Sequence, residues 1–334
     1  MAKRVLVIRF SALGDVAMLL SVLRVAAEAH PEVAFTLLSR QAFAPLAEFM
    51  PENVHFQGAD LKGRHKGIQG LEKLLQDIDY RQFDAVADMH NVQRSVYLRM
   101  RLRLAGKRIA ILKKGRSEKW RLTHHGSRQI QPLRSTVERY AEVFESLGIR
   151  ILPLNDRLLA NSTTDRKGIG IAPFAAHQGK IYPPARMEEV VRRLSQEHIP
   201  VYLFGGGPKE TAVLQEWAEN YEGVECMAGK GNLADDIRRM SRLSLMVSMD
   251  SGNMHLASLA GTRVVSIWGA THPYAGFLGF GQSESDCIQR DLPCRPCSVY
   301  GKKACRYGDY RCMDIPAEEV AKRILTAYKQ TQQA

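Results

Sequence analysis

The sequence lacks several features that would assign it quickly to a common class of protein. No apolar stretch approaches the roughly 18 unbroken residues of a membrane-spanning helix, and there is no low-complexity tract or internal repeat. The segment IRFSALGDV at 8–16 lacks the G-x-G-x-x-G fingerprint of dinucleotide-binding proteins. The glycine-rich FGGGPKE at 204–210 lacks the Lys-Ser/Thr of a P-loop. These absences exclude a helical membrane protein and the two commonest phosphate-binding signatures.

The first twenty residues superficially resemble a signal peptide, because basic residues precede an apolar run. Arg9, Ser11, Gly14 and Asp15 interrupt that run, and no small-residue cleavage site follows it cleanly. We therefore expect a cytoplasmic protein that is not integral to the membrane.

Acidic residues are scarce relative to basic ones. The 334 residues include 47 Lys and Arg against 35 Asp and Glu, a formal net charge of +12. Ten of the basic residues lie between Arg99 and Arg121 beside one acid, Glu118, and Trp120 and the pair His124-His125 lie in or next to that segment. A solvated face is the usual explanation for such a run, but this density favours an anion-binding surface. The segment lacks the interleaved aromatics of a single-strand platform and any standard DNA-binding motif, so we expect no nucleic-acid partner.

Short β-branched runs alternate with helical patterns along the chain, which predicts parallel sheets and an α/β fold. The alternation stops at 149–167, a polar segment that predicts a linker, and then restarts. We predict two doubly wound Rossmann-like domains facing a cleft: an N-terminal domain over 1–155 and a C-terminal domain over 168–315. The final helix, 316–334, is expected to pack back toward the N-terminal domain.

Polar residues follow the predicted strands at the sheet edge where doubly wound folds bind ligands. Asp250 ends the strand LSLMVSM, and Gly252 then opens a helix whose free N–H groups suit a phosphate. Lys180 lies in the loop after the first strand of the second domain, so it shares that edge with Asp250. Asp15 follows the first strand of the chain at the start of a helix. Helix capping alone would also explain Asp15 and either Asp250 or Ser251.

Five blocks together carry a family resemblance. RVLVIRFSALGDV, DMHNVQRS, PFAAHQGKIYP, FGGGPKE and DSGNMHLASLAGTRVVSIWGATHP occur in the order and spacing of the glycosyltransferase family that includes the ADP-heptose:lipopolysaccharide heptosyltransferases, family 9. The resemblance covers nearly the whole chain and implies the GT-B fold. It also implies inversion at the anomeric carbon and no catalytic metal. Two places depart from the family: Ile-Tyr replaces a frequent Trp before Pro183, and the loop 60–73 matches nothing in it.

The resemblance implies roles for individual residues. Asp15 corresponds to the general base for the acceptor hydroxyl and Lys180 to the lysine that meets the donor phosphates. The donor side further includes Glu210 near the ribose, Asp250 at the sugar, and the Ser251, Gly252 and His255 turn at the diphosphate. Arg94 and Ser95 fall in a block on the acceptor side.

The implied activity is transfer of a heptose from an ADP-sugar to lipopolysaccharide core or another anionic lipid-linked saccharide. The basic 94–121 region fits such an acceptor and a peripheral position at the inner membrane. Two alternatives remain open at this stage. One is an enzyme that transfers another sugar, such as GlcNAc, or epimerises a nucleotide sugar. The other is a nucleotide-sugar-binding protein without turnover.

Four of the six cysteines, Cys294, Cys297, Cys305 and Cys312, lie in one late segment. In a cytoplasmic protein this favours free thiols or a redox-labile cross-link. A structural zinc ion is the lesser alternative, because the second pair is more widely spaced than in usual zinc sites.

Overall fold

The protein, seen in a computed structural model, divides into two compact units. The structure describes residues 2–124, 126, 129–151 and 166–333. The first unit comprises Met1–Lys114 and Thr136–Leu158, and the second comprises Gly115–Ser135 and Leu159–Ala334. Most of the predicted linker, residues 152–165, lies outside the described residues.

The segment 115–135 was predicted to belong to the first domain, but it groups with the second unit. Two contacts give the physical reason. The amide of Leu133 donates to the carbonyl of Tyr274, and the ammonium of Lys119 lies 4.1 Å from the centre of the Phe277 ring. Lys119 is buried there, so the segment adds to the packing of the second unit.

The first unit is a parallel sheet in the order β3-β2-β1-β4-β5. The strands are β1 (Arg4–Ile8), β2 (Ala34–Arg40), β3 (Val54–Ala59), β4 (Ala85–Asp88) and β5 (Arg108–Ile111). The helices of this part of the chain are α1 (Leu13–Ala29), α2 (Gly67–Asp77), α3 (Gln93–Leu104), α4 (Arg116–Thr123, in the second unit) and α5 (Thr136–Glu145). Apolar side chains from both faces of the sheet are buried, as expected for strands covered by helices on either side.

The second unit is a parallel sheet in the order β11-β10-β9-β6-β7-β8. Its strands are β6 (Ile169–Ala172), β7 (Val201–Leu203), β8 (Val224–Cys226), β9 (Leu245–Met249), β10 (Val264–Trp268) and β11 (Cys287–Gln289). Its further helices are α6 (Pro184–Gln196), α7 (Pro208–Asn220), α8 (Leu233–Met240), α9 (Gly252–Leu259) and α10 (Ala317–Thr331).

The last helix, α10, differs in its packing from the sequence-based expectation. Its apolar residues Val320, Ala321, Ile324 and Ala327 are buried in the core of the second unit rather than in that of the first. The helix begins directly after Pro316, as the sequence predicts.

No helix in the described part of the chain is long and apolar enough to cross a lipid bilayer.

Candidate active site

Each sheet has one place where the strand order reverses, and ligands bind doubly wound folds at such switch points. In the first unit the reversal lies between the paired strands β1 and β4, and in the second between β6 and β9. The chain continues from β1 to Asp15, from β6 to Lys180 and from β9 to Asp250. Three of the predicted site residues therefore follow the carboxyl ends of switch-point strands.

The carboxylate of Asp15 is held on one side only. The guanidinium of Arg9 lies 2.5 Å from its Oδ2, and the amide of Ala12 donates to the same oxygen over 3.1 Å. Within the described residues no hydrogen bond or ion pair reaches Oδ1, and the side chain is about one quarter exposed. Asp15 is thus oriented through one oxygen, and its other oxygen makes no hydrogen bond or ion pair with a described residue.

The start of α1 explains this geometry. Ala12 is the N-cap residue and has no side-chain hydrogen-bonding group, so the carboxylate of Asp15 at the third helical position reaches back to its amide. The capping alternative raised by the sequence is therefore correct for Oδ2. It leaves Oδ1 available, so capping and catalysis do not compete for the same atom.

His90 adjoins this site and was missed by the sequence analysis. Its Nδ1 accepts from the amide of Phe10 and its Nε2 lies 3.4 Å from the Ser11 hydroxyl. Burial, together with the positive charges of Arg9 and Lys114, lowers the pKa of His90 to about 4. The ring is therefore neutral at ordinary pH and links the loop after β4 to the turn after β1. Its position directly after a buried strand, in the DMHN block, was the signal available in the sequence.

The two predicted acceptor residues, Arg94 and Ser95, lie in the first turn of α3. Arg94 is exposed, as an acceptor contact requires, and this role stays a prediction. Ser95 is fully buried, and its hydroxyl donates to the carbonyl of Val92 and accepts from the Val92 amide. The structure therefore shows a helix-capping role for Ser95 in place of the expected substrate contact.

In the second unit Lys180 and Asp250 form an ion pair. The ammonium nitrogen of Lys180 lies 2.8 Å from Oδ2 of Asp250, and both side chains are largely buried. A buried carboxylate requires a compensating charge, and the ammonium supplies it. The sequence predicted that these residues share one edge of the sheet, and the structure brings them into contact.

The cysteine-rich segment packs against Lys180, which the sequence did not predict. Gly301 has φ +73°, and a Cβ built on it would lie 2.6 Å from Cγ of Lys180. The carbonyl of Gly179 accepts from the amide of Ala270, whose own carbonyl accepts from the amide of Cys297. The loop that carries Lys180 is thus held by backbone hydrogen bonds and by a close approach that only glycine permits.

Helix α9 begins beside this pair with Gly252 at its first position. Ser251 is the N-cap residue but makes no capping hydrogen bond, since its hydroxyl faces that of Ser248 at 3.2 Å. The first N–H groups of α9 therefore remain available for an anion. His255 lies in the first turn and is buried.

Glu210 lies in the first turn of α7, after the glycine-rich turn that follows β7. Its Oε2 accepts from the amide of Gly206 over 2.8 Å. This bond holds the turn, and the second carboxylate oxygen makes no hydrogen bond with a described residue. The predicted contact with a ribose hydroxyl stays a prediction.

The basic run between Arg99 and Arg121 does not form one free cationic surface. Arg99 donates to the buried Asp88, Arg101 pairs with Glu72, and Arg108 donates to the carbonyl of Leu147. The run also spans the two units, because α3 and β5 belong to the first unit and α4 to the second. His125, part of the same prediction, lies outside the described residues.

The cysteines of the described chain are free thiols. Cys226, Cys287 and Cys312 are buried, and burial raises the pKa of Cys312 to about 11. Among the residues that the structure describes, no group of three or more His, Cys, Asp or Glu side chains is arranged to hold a metal ion. Zinc requires four converging ligands, so this geometry gives the zinc alternative no support.

Comparison with known proteins identifies the family. Residues 71–307 match the sequence profile described as glycosyltransferase family 9 (heptosyltransferase). Lipopolysaccharide heptosyltransferase 1 of Pseudomonas aeruginosa is 24% identical over 340 residues, covering 95% of this chain and 92% of the relative. The enzyme of the same name from Escherichia coli K12 is 25% identical over 305 residues, covering 85% and 93%.

Solved structures show the same fold. A family 9 glycosyl transferase from Veillonella parvula superposes with a TM-score of 0.73 at 20% identity, covering 98% of both chains. The E. coli heptosyltransferase WaaC, solved with ADP, gives a TM-score of 0.68 at 19% identity, covering 97% of this chain and 99% of that one. These likenesses confirm the predicted GT-B fold of two Rossmann-like domains.

The profile match spans well over half of the chain and contains Lys180, Glu210 and Asp250. The chain therefore belongs to glycosyltransferase family 9, the heptosyltransferase family, and is a glycosyltransferase.

Proposed function

We propose that the protein transfers a heptose from ADP-heptose, with inversion, to a saccharide of the lipopolysaccharide core that bears an acidic sugar such as Kdo. The proposal rests on the names of its curated relatives, which are lipopolysaccharide heptosyltransferases, and on the likeness to a heptosyltransferase solved with ADP. The geometry of each unit supports one half of this reaction.

The observation that carries the proposal is the free Oδ1 of Asp15 beside an Oδ2 held by Arg9 and by the Ala12 amide. A general base must reach the proton that it removes with a lone pair that no other group occupies. In the proposed step Asp15 takes the proton of the acceptor hydroxyl while that oxygen attacks the anomeric carbon. The bond from this carbon to the phosphate oxygen breaks, and ADP leaves with the electron pair.

The second unit would bind the donor. Lys180 and the uncapped N–H groups at the start of α9 are fixed positive groups that would offset the charge on departing ADP. Asp250, already paired with Lys180, would accept hydrogen bonds from hydroxyls of the transferred sugar. Because the lysine neutralises the carboxylate, the diphosphate can approach without strong repulsion.

A lipid-linked acceptor would place the enzyme at the cytoplasmic surface of the inner membrane as a peripheral protein. The net charge of +12 supports this location, since the cytoplasmic leaflet is anionic.

The test of this proposal is turnover of ADP-heptose by Asp15→Asn with a soluble, delipidated core acceptor. The amide keeps the size of the side chain but is no base, so turnover should fall at least about a hundred-fold. Asp79→Asn is the matched control, because Asp79 is an exposed aspartate of the same unit at φ 43°, a conformation that asparagine tolerates. Equal turnover by Asp15→Asn and the control would show that Asp15 is not the base.

If wild-type protein binds ADP-heptose tightly but forms no product with core acceptors, heptosyl transfer itself would be wrong. Transfer of GlcNAc in the same assay, or epimerisation of a nucleotide sugar without acceptor, would identify the alternative activity.

A further inference from the structure

Helix α3 exposes apolar side chains on the face that points away from the sheet. Leu104 is 81% exposed and Met100 is 59% exposed, although both are large and apolar. They are four residues apart and therefore lie one above the other on one side of the helix. The opposite side carries Leu98 and Leu102, which are fully buried in the first unit. Packing in the first unit explains the apolar residues on the buried face of α3, but it does not explain those on the exposed face.

The first turn of α2 adds to this surface. Ile68 is 65% exposed, and Glu72 lies one helical turn after it on the same side of α2. Glu72 accepts from the hydroxyl of Tyr97 and pairs with Arg101, both of α3. These bonds bring the two helices side by side, and we infer that the exposed Ile68 of α2 continues the surface of Met100 and Leu104.

Basic side chains flank the apolar residues. Helix α3 contains four arginines and no acidic residue. Arg103 lies next to Leu104, is exposed, and makes no ion pair or side-chain hydrogen bond with a described residue. Lys66, just before α2, is likewise exposed. Glu72, at the contact between α2 and α3, is paired with Arg101.

We propose that the outer surface formed by Ile68, Met100, Arg103, Leu104 and Lys66 docks on an anionic phospholipid bilayer. The three apolar side chains would enter the boundary between headgroups and acyl chains, and Arg103 and Lys66 would lie among the phosphates. Apolar residues along one side of a helix, flanked by cations, are typical of helices that lie in a membrane interface. Nucleic acid would be contacted by the cations but gives aliphatic side chains little to bind.

The docking proposal rests in part on the proposed function, because an enzyme that acts on a lipid-linked acceptor benefits from contact with the membrane. Docking would confine enzyme and acceptor to the same surface and would lower the apparent KM for acceptor in vesicles. It would not alter the chemical step, since none of the five residues contacts the groups around Asp15.

The experiment is flotation of the full chain with vesicles, without any substrate, so that its outcome does not depend on catalysis. Vesicles of phosphatidylcholine alone are compared with vesicles that also contain phosphatidylglycerol, at low and at high salt. We expect binding to the anionic vesicles only, weakened by salt. The double variant Met100→Gln/Leu104→Gln should bind at least about ten-fold more weakly, because it loses two apolar side chains from the interface.

A pair of charge-matched variants separates this surface from the net charge. Arg103→Gln should weaken vesicle binding several-fold, whereas Arg242→Gln removes the same charge from an exposed position of the second unit and should leave it unchanged. Thermal unfolding of every variant checks that the fold is kept. Polar substitutions at exposed sites should change the melting temperature little.

Two further readouts keep the outcomes distinct. With delipidated acceptor, Met100→Gln/Leu104→Gln should turn over at the wild-type rate, and with acceptor in vesicles its apparent KM should rise. Vesicle binding without turnover by the wild type would refute the proposed function and leave the docking surface standing. Equal vesicle binding by wild type and double variant would overturn the docking proposal. The proposal would also be wrong if the wild type formed an oligomer, the double variant did not, and the two bound vesicles equally.

Discussion

At the scale of single residues, the neighbourhood of Asp15 depends on groups that are far apart in sequence. Arg9 orients the carboxylate through an ion pair, and its guanidinium also donates to the carbonyl of Met89 over 2.6 Å. His90, one residue further on, bonds to the turn that leads into α1. Asp15 is therefore held by the loop after β4 as well as by its own helix.

The low pKa of His90 predicts a pH dependence of stability. The unfolded side chain has an ordinary pKa near 6.5 and the folded one about 4, so the unfolded state binds the proton more readily between these values. The stabilisation is complete above about pH 6.5 and is lost as the pH falls toward 4. We expect about 2 kcal/mol of the free energy of unfolding to be lost between pH 7 and pH 5 through this residue.

Urea unfolding at both pH values measures this effect. His90→Gln should lack that part of the pH dependence, whereas His55→Gln, at an exposed position on an edge strand, should retain it. An identical loss of stability in wild type and His90→Gln would show that His90 does not titrate as the structure implies.

The residues that were predictable from sequence are those that follow strongly patterned strands. Asp15, Lys180 and Asp250 each come after a buried run, and the resemblance to a known family then gave them roles. Arg9, His90 and Gly301 were not predictable, because their importance comes from contacts with distant segments. Ser95 was placed on the acceptor side by its motif, but its hydroxyl closes a helix turn.

At the scale of elements, the cysteine-rich segment supports the donor side through Gly301. An alanine there would adopt φ +73° at a cost of about 1 kcal/mol and would also press on the stem of Lys180. We predict that Gly301→Ala weakens ADP binding about ten-fold, since a charge-assisted contact from Lys180 to phosphate would be displaced.

Gly308→Ala is the matched control for this prediction. Gly308 lies in the same segment at φ +76°, with no atom near the position that a Cβ would occupy. Both variants should lose similar stability in thermal unfolding, and only Gly301→Ala should show weaker ADP binding by calorimetry. Equal ADP affinity in the two variants would mean that Gly301 does not position Lys180.

The sequence predicted most central strands of both sheets to within about two residues, because central parallel strands are continuous apolar runs. It extended β7 to residue 207, into the glycine-rich turn that follows Leu203. The edge strands β3 and β11 and the helix α2 were missed. Strand β3 buries only its two end residues, Val54 and Ala59, and ends in Gln-Gly-Ala, and β11 has only three residues. The pairing of such strands depends on the neighbouring strand more than on their own sequence.

At the scale of the whole molecule, the net charge of +12 predicted an anionic partner but not the residues that would contact it. An anionic partner fits a family that handles nucleotide sugars, but three of the ten basic residues in the dense run, Arg99, Arg101 and Arg108, already bond to other groups of the protein. The grouping of 115–135 with the second unit was equally beyond the sequence, because it depends on contacts with residues 140 positions away.

The most direct test of the central claim is the melting temperature of the protein in the presence of nucleotide sugars. A ligand that binds only the folded state stabilises it more at a given concentration the more tightly it binds. We expect ADP-heptose to raise the melting temperature more than UDP- or GDP-sugars do. A larger rise with a UDP-sugar than with ADP-heptose would contradict the assignment of the donor.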